Sequence, residues 1–131
     1  MTSAQILTLP RRVLRHDTAV FAAAMALQTA HLLDEALIDA HDGTTAVGDG
    51  VAALAMGVIA VAAYGRLAVW ARALLALVFG LAGVAGGLAI HVVHAVDEGP
   101  SGADFSGFGH ALAGFALLAL GATLALQAKN D

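Results

Sequence analysis

The pattern H-x-x-D-E occurs twice in the 131-residue chain, as HLLDE at 31–35 and, 63 positions further on, as HAVDE at 94–98. On a helix, residues four apart lie one above the other, so His31 stacks on Glu35 and His94 on Glu98. Imidazole and carboxylate without sulfur suit a borderline divalent ion, zinc first and then iron, manganese, nickel or copper(II). Two such pairs would supply four ligands. His91 lies about one turn below His94, at a depth where an unsatisfied imidazole is costly. Asp34, Asp97, His110 and Asp49 complete the candidate set, as ligands or as partners that orient them. The same groups could instead pass or sense protons. Haem between imidazoles of two helices is a further reading, and the carboxylates beside both histidines argue against it. The plain alternative is that His31 and His94 only hydrogen-bond to neighbouring acids and stabilise the fold.

The elements that must carry these residues are apolar helices. Hydrophobic residues make up 60% of the chain and charged residues 12%, against roughly 25% charged in an ordinary soluble domain. So few charges cannot cover a small soluble protein, which excludes a soluble enzyme and a disordered tail. Six Lys and Arg with a net charge of −4 exclude a nucleic-acid binder. Without cysteine there is no disulfide, thiolate site or cysteine nucleophile. The expected class is an all-α integral membrane protein, an up-down-up-down four-helix bundle with spans at about 18–40, 46–65, 73–96 and 108–127. Residues 1–17 form a cytoplasmic segment that could lie at the interface, broken at Pro10. The first span carries Gln28 and His31 and lacks a clean small-x-small site, so it reads as uncleaved rather than as a signal peptide. Trp70, in the short turn bracketed by Arg66 and Arg72, reads as an interfacial anchor.

Charge sets the orientation. Arg11, Arg12, Arg15, Arg66, Arg72 and Lys129 fall on one side of this topology, which the positive-inside rule assigns to the cytoplasm of a plasma (inner) membrane, with both termini. With Asp17 and Asp131 that side carries +4. The other carries −8 from Asp34, Glu35, Asp39, Asp42, Asp49, Asp97, Glu98 and Asp104, with five of the six histidines and no Lys or Arg. Acids crowded at one end of a narrow bundle repel one another unless protons or a cation intervene. Asp39, Asp42, Asp104 and His41 read as solvated loop, and Ser101 and Ser106 as turn residues beside Gly and Pro in the breaker-rich loop 97–107.

The 63-residue offset also matches Ala22 and Ala26 with Ala85 and Ala89, and Gln28 with His91. An internal pseudo-repeat of helices 1–2 and 3–4, related by an axis along the membrane normal, is the expectation. On the third helix Gly80, Gly83, Gly87, His91, His94 and Glu98 advance by threes and fours: a groove of small residues leading to polar groups. Val20, Ala24, Gln28, His31 and Glu35 run in register on the first. The fourth offers His110 above Gly114 and Gly121, and the second Asp49 above Ala53 and Gly57.

The stretches HLLDEAL at 31–37 and EGPSGADFSG at 98–107, followed by an Ala/Leu/Gly-rich last helix, resemble a group of uncharacterised small four-helix bacterial membrane domains, some attached to an α/β-hydrolase. The resemblance implies the four-helix architecture and no established activity. No phosphate loop, nucleophile elbow or zincin helix is present. The function expected is a multi-pass membrane protein with an outward-facing site for a divalent cation or protons, as an accessory or sensor subunit or a small carrier. A structural or partner-binding scaffold is the alternative, and a metal-assisted membrane enzyme ranks after it. The expected partners are the lipid bilayer, a cation at the outer face, and a second copy or a separate membrane or extracytoplasmic protein.

Overall fold

A computed structural model describes residues 16–37 and 44–129, all helix and turn with no strand among the described residues. The helices are α1 (Asp17–Leu37), α2 (Thr44–Tyr64), α3 (Val69–Ala89), α4 (His91–Asp97) and α5 (Gly102–Ala128). Two stretches, Val69–Asp97 and Asp104–Ala128, are long and apolar enough to cross a membrane, and Gly50–Tyr64 is a shorter apolar helix. α1 falls outside that class because Gln28, His31, Asp34 and Glu35 interrupt its apolar sequence. Of the expected interfacial segment at 1–17, residues 1–15 lie outside the described residues and Asp17 already begins α1; Asp39, His41, Asp42 and the side chain of Asp49 also lie outside them.

Glycine decides which helices meet. α3 and α5 form the most extensive contact, along the stripe Gly80, Gly83 and Gly87. A Cβ at Gly87 would lie 2.6 Å from the Gly107 carbonyl, one at Gly80 2.7 Å from the Leu118 nitrogen, and one at Gly114 2.5 Å from the Val84 nitrogen. Backbone therefore lies against backbone, the arrangement that small residues permit between apolar helices. α1 packs on α5, and α2 packs mainly on α1. Gly57 of α2 rests on Thr29 and Gly50 on Ala36. The arrangement thus has α1, α3 and α5 at its centre and α2 at the flank, with Val51, Leu54, Met56, Val58 and Ile59 exposed.

The core occupies the end where α1 begins and α5 finishes. Phe21 stacks on Tyr64 with centroids 3.9 Å apart, and Met25, Ala76, Leu117, Leu120 and Leu124 close around them. Arg72 joins the same end, pairing with Asp17 at 3.0 Å and donating to the Leu67 carbonyl.

At the opposite end two local features shape the polar residues. At Ile90 (φ −87°, ψ −59°) the backbone stays right-handed helical, with its N–H on the Gly86 carbonyl and its carbonyl on the His94 N–H, so α4 follows α3 after a one-residue interruption. The chain then turns at Gly99, whose φ of 91° favours glycine, and enters α5. The loop expected over 97–107 is shorter than that. Ser101 caps α5 and Asp104, three residues on, accepts from the Ser101 backbone N–H, so Gly102–Gly107 is already helix.

Candidate metal centre

His31 from α1 and His91 from the start of α4 meet between the helices, both almost fully buried. Their Nε2 atoms are 3.2 Å apart and their rings are edge to face. Glu35, one turn beyond His31, brings Oε1 to 3.3 Å from His91 Nε2 and 3.5 Å from His31 Nε2. Three donor atoms thus form a nearly equilateral triangle. Ligand atoms around a tetrahedral ion with bonds of 2.0–2.1 Å are separated by roughly 3.3–3.4 Å, so the triangle has the size of one face of such a site. These three residues form a group that can hold a metal ion.

Each ring is fixed from behind. His91 Nδ1 lies 3.3 Å from Asp104 Oδ1, and His31 Nδ1 lies 2.9 Å from Ser106 Oγ. In the tautomer that donates Nδ1–H to Asp104, the Nε2 of His91 is left as an acceptor facing Glu35 Oε1 and His31 Nε2. Acceptors facing one another at 3.3 Å need a proton or a cation between them. A hydrogen bond at the far nitrogen is also the usual way in which a metal-binding imidazole is oriented.

Asp104 is the hub. It is 1% exposed and, among the described residues, pairs with no lysine or arginine. Its Oδ2 accepts from the Ser101 backbone N–H at 2.7 Å and hydroxyl at 2.9 Å, and meets His94 Nδ1 at 3.1 Å, while Oδ1 takes His91. Both imidazoles of α4 are therefore held by one carboxylate. His91 also needs room: its ring occupies the space where a Cβ on Gly107 would stand.

The remaining expected residues divide. His94 does not join His31; it faces Asp104 on one side and Glu98, 3.5 Å away, on the other, with the pair 39% and 74% exposed. The spacing that makes HLLDE and HAVDE equivalent in sequence does not make them equivalent in space: His91, which continues the buried stripe of Gly80, Gly83 and Gly87, meets His31, and His94 does not. Gln28, the repeat partner of His91, instead donates to the Phe79 carbonyl at 3.1 Å, passing over Gly83. The His110 ring lies tilted against His31 with centroids 4.7 Å apart, outside the three-residue group, and its buried Nδ1 has no hydrogen-bond partner among the described residues. Asp34 is half-buried and Asp97 exposed, and neither belongs to the group.

Two expectations are overturned. Asp104, read as solvated loop, is buried at the centre of the cluster. Ser106, read as a turn residue, is helical and holds His31. The signal for both was Ser101-x-x-Asp104, a helix-capping pattern that moves the start of α5 ahead of the serine. No family model matches the chain, and neither does any curated protein or solved structure.

Proposed function

We propose that this chain is a multi-pass membrane protein whose four long helices cross the bilayer and whose His31–Glu35–His91 group binds a divalent cation, with zinc the first candidate, at the extracytoplasmic face. The observation that carries the reading is the 3.2–3.5 Å triangle of Nε2, Nε2 and Oε1, with both imidazoles oriented from behind. A His2Glu set leaves one tetrahedral corner for water or an external ligand, and Glu35, 37% exposed, lies on the open side. Haem is disfavoured: two imidazoles across an iron stand about 4 Å apart, and Glu35 occupies the space a porphyrin would need.

The role the packing favours is a resident site, in an accessory or sensor subunit, rather than a carrier. Below His31 and His110 the polar residues end at Gln28, and Phe21, Phe79, Tyr64 and Leu117 fill the interior beyond it. Arg66, Arg72 and Lys129 lie at that far end, which the positive-inside rule assigns to the cytoplasm. A second reading, proton handling, draws on the run Glu35–His91–Asp104–His94–Glu98, each step between 3.1 and 3.5 Å. Metal analysis separates the two. Detergent-purified protein, reloaded with zinc and washed, is expected to retain about one ion per chain. The His31→Ala/His91→Ala variant is expected to retain none, and equal zinc in both overturns the metal reading.

A further inference from the structure

Asp104 serves two imidazoles in the same way. It holds His91 and His94 by their Nδ1 atoms, one on each carboxylate oxygen, so both turn Nε2 away from it. Each Nε2 then meets a glutamate: His91 meets Glu35 at 3.3 Å, and His94 meets Glu98 at 3.5 Å. The two halves differ in burial and in number of donors. The inner half has buried imidazoles, with Glu35 37% exposed on its open side, and gains His31 as a third donor. The outer half is open to solvent and has two donors, His94 and Glu98. No Lys or Arg lies at this end among the described residues, so its carboxylates act together to concentrate cations.

We infer that His94 and Glu98 form a second, outer cation station that captures a hydrated divalent ion and hands it to the His31–Glu35–His91 group. The inference rests on the metal reading of that inner group. A cation entering the three-donor site must exchange most of its water shell for protein atoms. A two-donor station at the surface lets that exchange proceed in stages, the ion keeping water on its open side while one imidazole and one carboxylate bind. Asp104 gives both stations the same oriented imidazole. The outer one binds weakly because it lacks the third donor and is exposed. Capture is therefore fast and reversible, and retention belongs to the inner group.

The test uses cobalt(II) with the full chain in detergent micelles, reading stoichiometry by equilibrium dialysis and filling of the inner group by stopped-flow absorbance. The wild type is expected to take two cobalt ions per chain, one tight and one weak. Glu98→Gln should take one, fill the tight group several-fold more slowly, and keep its final affinity. Glu98→Lys should slow filling further. Because Glu98 is 74% exposed and its ion pair is with the partly exposed His94, neither change threatens the fold. Wild-type filling rates in both variants overturn the outer station and leave the inner site standing. The His31→Ala/His91→Ala variant distinguishes the other failure. If the wild type binds only the weak ion, and that ion survives in this variant but is lost on adding Glu98→Gln, the outer station holds and the inner reading falls.

Discussion

His31 and His91, sixty residues apart in the chain, face each other Nε2 to Nε2 at 3.2 Å, each held at its other nitrogen by a side chain of α5. Neither ring can turn away without breaking its bond to Ser106 or Asp104, so the two donors are positioned before any ion arrives. Preorganisation of this kind makes the site sensitive to residues that never touch the ion.

Asp104→Asn is the sharpest case. The amide keeps the shape but loses the charge and half the acceptor capacity shared by Ser101, His91 and His94. Zinc affinity, measured by competition with a chromophoric chelator, is expected to fall roughly 10–100-fold, as for other outer hydrogen-bond partners of metal ligands. An unchanged affinity would show that Asp104 does not orient His91.

Gly107→Ala should abolish tight binding, because its Cβ would occupy the space of the His91 ring. Gly86→Ala is the control: its Cβ would meet His110 Nε2 at 3.7 Å, an ordinary contact. Helix content by circular dichroism should be unchanged in both, and zinc retention should separate them.

Zinc should stabilise the fold in a pH-dependent way. Ligands bind the ion only when deprotonated, so protons and zinc compete for the two Nε2 atoms and affinity falls as pH falls. At a free zinc concentration a hundred times Kd the stabilisation is about 2.7 kcal/mol, read as a rise in Tm, and it should shrink on acidification as protons displace the ion. His31→Ala should show no zinc-dependent shift at any pH.

The contact between α3 and α5 predicts a large cost at Gly114 and a small one at Gly109. A Cβ at Gly114 would meet the Val84 backbone at 2.5 Å, whereas nothing lies within 4 Å of one at Gly109. Gly114→Val is expected to destabilise by about 1–3 kcal/mol or more, measured by unfolding in mixed micelles, because backbone cannot yield as a flexible side chain does. Gly109→Ala should be neutral or slightly stabilising.

Much of this was legible in the chain. The i, i+4 relation of His31 and Glu35, the unusual depth of His91 and the glycine face of α3 all follow from helical periodicity, and each is present. What periodicity cannot show is which residue of one stripe stands opposite which residue of the facing helix. The repeat pairs His31 with His94, but His91 is the residue that reaches His31, and His94 stays partly exposed. Asp104 was hidden by the glycines and proline around it, which mark a loop by composition although the capping serine begins a helix there. The flanking place of α2 was equally unreadable, since a helix apolar on every side does not declare which side has a partner.

The missing side chain at Gly107 has a consequence for descent. A lineage that keeps the imidazole at position 91 must keep glycine at 107, and one that drifts to alanine there has released position 91 from any chemical duty. Among relatives of this chain the two positions should change together, while Gly109, a short step along the same helix, is free to wander alone.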